Sequence, residues 1–127
     1  MNLNQVTIAS KDVAKATAFY KQLGLRLIVD ALPRYVRFEC PDGDATFSIH
    51  HTDTLSPNNN ITLYFEDENL DATVEKLQAK GIQFTNLPED KPWNWREAQL
   101  KDVDGHQLIL FKAGNNRKNP PWRIHNS

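Results

Sequence analysis

A chain of 127 residues, 39% of them hydrophobic, is long enough for one domain that buries most of the apolar surface its unfolded form exposes. The single cysteine, Cys40, excludes an internal disulfide framework, and no apolar run reaches the roughly 18 residues of a membrane helix. With 15 basic and 16 acidic residues, a net charge of −1, and basic side chains gathered only at Arg117, Lys118 and Arg123, the composition speaks against nucleic acid and against a membrane as partners.

Met1 to Gln5 lacks the basic start and apolar run of a secretory leader, so the expected location is cytoplasmic. Leu3 to Ala9 then alternates, with Val6 and Ile8 on one face and Gln5, Thr7 and Ala9 on the other, which predicts a strand with one buried side. Ser10 or Asp12 caps a helix reaching Leu23, because Val13, Ala16, Thr17, Tyr20 and Leu23 recur at helical spacing and Gly24 supplies a left-handed stop. Leu25 to Val29 returns as a strand. Arg34 to Cys40 sets Val36, Phe38 and Cys40 against Tyr35, Arg37 and Glu39, and the turn Pro41-Asp42-Gly43-Asp44 leads into a strand from Ala45 to His51.

Thr52 to Asn60, with Pro57 and three consecutive asparagines, reads as a polar connection. Beyond it the pattern predicts a strand over Ile61 to Glu66, a helix over Leu70 to Lys80 ended by Gly81, and a strand over Ile82 to Asn86. A loop rich in Pro and Trp follows from Leu87 to Asn94. Trp95 to Lys101 and His106 to Lys112 then form a hairpin around Asp104-Gly105. In the tail from Ala113 to Ser127, Pro120-Pro121 forbids regular structure while Trp122 and Ile124 favour burial, which predicts an ordered coil wrapped on the domain.

The chain also repeats itself. An offset of 57, the distance from Gly24 to Gly81, superimposes Val6 on Leu63, Ile8 on Phe65, Val13 on Leu70, Thr17 on Val74, Tyr20 on Leu77, Leu25 on Ile82 and Leu27 on Phe84. The fold class is therefore α+β: two tandem β-α-β-β-β modules, residues 3–51 and 61–112, within a single domain of 1–127 that includes the connection 52–60 and the tail 113–127. Neither copy closes a core alone, so the two must pack together, and the groove between them is the expected place for a ligand.

Such a paired unit resembles the vicinal oxygen chelate superfamily, which includes glyoxalase I, the bleomycin-resistance proteins and the extradiol dioxygenases. The match covers residues 3 to 112. Its most specific pieces are Asp12-Val13-Ala14-Lys15-Ala16-Thr17-Ala18-Phe19-Tyr20 leading to Leu23-Gly24-Leu25, and Asp102-Val103-Asp104-Gly105-His106. The resemblance implies that each sheet is a half-open cup, a half-barrel with its helix on the convex side, that the paired cups enclose the cavity, and that the protein is a homodimer. Metal-dependent relatives place two ligands on each module, and carrying those positions over gives Gln5, Ser48, Thr62 and Ile109. A divalent ion favours His, Glu, Asp or Cys donors. The Gln5 carbonyl is acceptable, and a Gln at this position is a ligand in some glyoxalases, but neutral Ser and Thr hydroxyls are poor donors and Ile offers none, so three of the four positions argue against a metal. The expectation is a metal-independent protein without a cofactor, with Gln5 lining the cavity.

Strand parity places Gln5, Thr7, Arg37, Glu39, Ser48, His50, Thr62, Tyr64, Glu97, Gln99, Gln107, Ile109 and Phe111 on the cavity side. Arg37 is there either the fork for a substrate carboxylate or phosphate, or the ion-pair partner of Glu39 or Glu97. His50, opposite in direction to His51, is a candidate acid or base or else a solvated strand end. Glu97, flanked by Trp93 and Trp95, is the candidate catalytic base, or an ion-pair partner of Arg96 or Arg37. Trp93 and Trp95 would stack on an aromatic or cationic ligand, as loop aromatics of the bleomycin-resistance proteins do by resemblance. Those relatives are strongly acidic and this chain is near neutral, so bleomycin itself is not the expected ligand. His106, in a turn, and His125, in the tail, receive no role.

The function so implied is binding or sequestering of a small organic molecule through Gln5, Arg37, Glu39, Ser48, Thr62, Tyr64, Trp93, Trp95, Gln99 and Ile109. The alternative is a glyoxalase-type lyase or isomerase, similar to lactoylglutathione lyase, with Glu97 or His50 as base or with an unexpected metal set. A third reading is a collapsed cavity in a fold that serves only association.

Overall fold

The computed structural model describes residues 1–56 and 60–124. Pro57, Asn58, Asn59 and His125 lie outside the described residues. The elements in chain order are β1 (Gln5–Ser10), α1 (Val13–Leu23), β2 (Arg26–Ala31), β3 (Tyr35–Glu39), β4 (Thr46–His51), β5 (Thr62–Glu66), α2 (Leu70–Ala79), β6 (Asn86–Asp90), β7 (Arg96–Lys101) and β8 (Gln107–Lys112), followed by a 3-10 turn at Gly114–Asn116. They form two four-stranded mixed sheets of order β1-β4-β3-β2 and β5-β8-β7-β6, an α+β architecture of two β-α-β-β-β modules. In each module the helix carries the chain from the first strand to the far edge of the sheet. A three-stranded meander then returns it, so that the last strand lies parallel to the first.

Contacts divide the chain into two compact units. Unit one is the chain up to Asn60 together with Asp102–Gly105, and unit two is Ile61–Lys101 with the chain from His106 on.

In unit one, Asp12 caps α1 by accepting a hydrogen bond from the Lys15 amide at 3.1 Å. The helix ends where Gly24 takes φ +114°, a conformation that costs a residue with a Cβ, and the amides of Gly24 and Leu25 turn back to the carbonyls of Lys21 and Tyr20. The buried stripe Val13, Ala16, Thr17 and Tyr20 faces Val36, Phe38, Phe47 and Ile49 of the sheet. Its centre is aromatic: the Tyr20 ring lies 4.8 Å from that of Phe47 and 6.2 Å from that of Phe38. Unit two repeats the plan in aliphatic residues, with Leu70, Val74 and Leu77 of α2 over Leu63, Ala98, Leu100, Leu108 and Leu110. The two helices begin at Val13 and Leu70, an offset of 57, as the repeat predicts.

Two expectations are corrected. The strand placed at Ile82–Asn86 lies instead at Asn86–Asp90, within the stretch expected to be a loop. Pro88 weighed against a strand there, but β6 is the sheet edge, and its register shifts between Asn86 and Glu89, so the missing N–H of Pro88 interrupts no ladder bond. In the tail, Trp122 and Ile124 are 58% and 72% exposed rather than buried. A turn closed by the Arg123 amide on the Pro120 carbonyl at 3.0 Å presents this stretch to solvent.

Candidate functional site

Each sheet has one face against its helix and one open face, and the residues expected to line a cavity lie on the open faces. In unit one, rungs of the β1-β4-β3 ladder align Thr7 with Ser48 and Ser48 with Arg37, Gln5 with Thr46 and Thr46 with Glu39, and His50 with Tyr35. Paired residues share a face. Ser48 is fully buried although its neighbours Phe47 and Ile49 point to the helix side, because polar side chains close over it. The Gln5 amide donates to Ser48 Oγ at 2.9 Å, the Tyr35 hydroxyl lies 2.7 Å from it, and Arg37 Nε lies 3.4 Å away. Arg37 Nε also donates to the Tyr35 hydroxyl at 3.0 Å. The network extends to Thr46, whose hydroxyl donates to Gln5 Oε1.

This arrangement decides the chemistry of Gln5 and Ser48. The amide oxygen, the one atom of Gln5 able to ligate a cation, is taken by Thr46, while its NH2 group points at Ser48. Ser48 in turn is occupied by three side chains. Unit two contributes a threonine, Thr62, and an apolar buried side chain, Ile109, at the matching positions. The donor set does not fit a divalent metal.

The electrostatics of unit one differ from the ion pairs expected. Glu39 pairs with Arg26 across the β2–β3 rung at 2.8 Å and not with Arg37, whose Nη groups have no carboxylate partner among the described residues of their unit. Tyr35 is held below the ordinary tyrosine range, first by its hydrogen bond to Ser48, which outweighs the opposing effect of desolvation, and then by the hydrogen bond and charge of Arg37. His50 is exposed, with Nδ1 3.1 Å from the His51 carbonyl, and His51 pairs with Asp53 at 2.9 Å.

On the open face of unit two, Glu97 is only 3% exposed. Trp93 Nε1 donates to its Oε2 at 2.7 Å. Arg96 is not its partner: alternation sends Arg96 to the other face, where Asp71 and Asp90 hold it at 3.0 and 3.1 Å and raise its pKa through those hydrogen bonds. Beside Glu97 the rings of Trp95 and Phe111 stack at 4.7 Å, and Tyr64 meets both edge-on at 6.0 and 5.7 Å. The Phe111 ring sits where Glu97 pairs with β8, and Gln99 pairs with Ile109 one rung further along the same face. Trp95 also borders an open groove of about 540 Å³, with Arg96, Lys112 and Gly114 among its walls.

Sequence reasoning gathered Gln5, Arg37 and Ser48, which the structure joins, and Glu97, Trp93, Trp95 and Tyr64, which it places on one face. It omitted Tyr35 and Thr46. The signal for Tyr35 was present, since alternation sets it on the face of Arg37. What linear sequence lacked was the register that brings its hydroxyl to Ser48.

The family profile described as the Glyoxalase/Bleomycin resistance protein/Dioxygenase superfamily matches residues 2–110. The uncharacterized protein YraH of Bacillus subtilis (strain 168) is 26% identical over 128 residues, covering 88% of this chain and 98% of its own. Among solved structures, a glyoxalase/bleomycin resistance protein/dioxygenase from Nocardioides superimposes with a TM-score of 0.76 at 20% identity, covering 98% of this chain and 90% of the other. A bleomycin-binding protein in complex with bleomycin gives 0.72 at 21% identity, covering 88% and 98%.

Proposed function

Because this chain belongs to the glyoxalase/bleomycin resistance protein/dioxygenase superfamily, we propose that it is a metal-independent member that binds a small organic molecule on the open faces of its sheets. The observation that carries the proposal is the Gln5–Ser48–Tyr35–Arg37 network. Polar side chains at two of the family's ligand positions satisfy one another without an ion, and they leave a guanidinium facing outward. The second open face supports the same reading with a different surface, an aromatic cluster of Tyr64, Trp95 and Phe111 beside the buried carboxylate of Glu97. Rings and one fixed polar group are what a small-molecule site requires. A relative of this fold was solved with bleomycin bound, and a net charge of −1 points here to a ligand less cationic than that one.

Two measurements test the proposal. Protein purified without chelator should contain far less than one equivalent of zinc, nickel, manganese or iron, and one equivalent of any of them would overturn metal independence. A metabolite library should contain compounds that raise the melting temperature. Arg37→Ala and Glu97→Gln should each weaken those shifts, and unchanged shifts in both variants would remove the open faces as the site.

A further inference from the structure

Arg37 stands out among the charged residues of unit one. The nearest carboxylate on its strand and face, Glu39, is taken by Arg26 at 2.8 Å. Asp30 lies opposite Val36, on the helix side, and its Oδ1 accepts from the Leu32 amide at 3.2 Å. Arg37 is nonetheless oriented: Nε is bound to the Tyr35 hydroxyl at 3.0 Å, and the guanidinium carbon is 5.6 Å from the Tyr35 ring centroid. An arginine anchored through Nε presents its two Nη groups as a fork of donors, the geometry that matches a carboxylate or phosphate.

Hydrogen-bond valence adds a third donor. Ser48 Oγ accepts from Gln5 Nε2 and, at 3.4 Å, from Arg37 Nε, which fills both its lone pairs and leaves its own O–H for Tyr35. The Tyr35 oxygen then accepts from both Ser48 and Arg37, and its O–H is left to donate outward. Val29, the cross-strand partner of Arg37, exposes an apolar side chain on the same face, where the body of an organic ligand would rest. We propose that Arg37 and Tyr35 form an anion seat on unit one, and that the ligand is an organic acid, a carboxylate or phosphate ester, gripped by the Nη fork with Tyr35 as positioning residue and hydroxyl donor. The inference rests on the small-molecule reading above and narrows it to one chemical class.

The test is a calorimetric and thermal-shift comparison of benzoate, phenyl phosphate, benzamide and benzylamine on the full chain. Benzoate, phenyl phosphate or both should bind, benzamide and benzylamine should not, and the stronger of the two anions identifies the headgroup. Arg37→Met should abolish anion binding. Arg37→Lys, which keeps the charge and loses the fork, should retain a weakened part of it. Tyr35→Phe, which keeps the ring, should weaken the anion about ten-fold or more, in line with loss of a hydrogen bond to a charged group, with the melting temperature of ligand-free protein lowered modestly as the buried Ser48 hydroxyl loses its acceptor. Binding of the amide or amine as tight as that of the anions, or anion binding that survives Arg37→Met, would overturn the seat while leaving small-molecule binding intact. If none of the four binds, hits from the metabolite library decide: anionic hits lost in Arg37→Met support the seat, and neutral or cationic hits overturn it. A library without hits overturns both readings together.

Discussion

The Tyr20 hydroxyl donates to Asp102 Oδ2 at 2.5 Å, joining the two stretches of sequence that most define the family pattern. Tyr20 closes the segment Asp12 to Tyr20 on α1, and Asp102 opens Asp102-Val103-Asp104-Gly105-His106 in the β7–β8 turn. Both are buried. Asp102 Oδ1 meanwhile accepts from the Asp104 amide at 2.9 Å, and Asp104 Oδ1 accepts from the Lys11 amide at 3.1 Å. The turn is thus tied to Lys11, just ahead of α1, and to Tyr20 in the C-terminal half of the helix, which is why residues 102–105 group with unit one. A motif 82 residues from its partner in sequence is one end of a single buried hydrogen bond.

Tyr20→Phe should therefore destabilise the protein by about 1.5–3 kcal/mol, the range for a hydrogen bond to a charged group, with the aromatic packing retained. Urea denaturation checks this through a lower midpoint at unchanged slope. A variant as stable as the parent would show that the Tyr20–Asp102 bond contributes nothing net.

The same bond sets an alkaline limit. Burial, then the charge and hydrogen bond of Asp102, then the charge of Asp104, push the Tyr20 pKa well above the ordinary tyrosine value. The protonated phenol is the form the folded state holds, so the unfolded chain releases its proton first, near pH 10. The stabilisation is complete below that pH and is lost as pH rises above it. Unfolding free energy between about pH 10 and 11 should fall more steeply in the parent than in Tyr20→Phe, by up to one proton, about 1.4 kcal/mol per pH unit. Equal slopes would mean that Tyr20 titrates normally.

Alternation and the 57-residue repeat made the modules and the two faces of each sheet legible from sequence, because side-chain direction in a strand follows parity alone. Gln5, Ser48 and Arg37 fell on one face for that reason. Partners were not legible, since they depend on register and rotamer. Glu39 reaches Arg26 across an edge strand, and Arg96 reaches Asp71 on α2 and Asp90 on β6, where sequence proximity had suggested Arg37 and Glu97. The edge strand β6 was hidden by Pro88, whose cost vanishes at an edge.

Glu97→Gln should release Trp93. The indole N–H now donates to a carboxylate at 2.7 Å, and a neutral amide is the weaker acceptor. Because Trp93 is already partly exposed, its emission should move to longer wavelength and become easier to quench, while the stacked Trp95 and Phe111 rings stay in place. Comparison with Trp93→Phe separates this contribution from those of Trp95 and Trp122. An identical spectrum in Glu97→Gln would show that the carboxylate does not fix the ring.

Tyrosine ionisation followed by ultraviolet difference absorption examines the other open face. Of the three tyrosines, Tyr35 is held below the ordinary range, mainly by Ser48, and Tyr20 above it. The component that titrates earliest as pH rises should therefore vanish in Tyr35→Phe. Ser48→Ala removes the largest cause of the depression and should move that component to higher pH. Arg37→Met should move it the same way by a smaller amount, because the contribution of Arg37 ranks behind that of Ser48. Ser48→Ala should also cost about 1 kcal/mol of stability, since Gln5 and Tyr35 lose a buried partner but regain water at an open face. If Tyr35→Phe leaves the early component untouched, the Ser48–Tyr35–Arg37 network does not form in solution, and the outward O–H deduced for Tyr35 is lost with it.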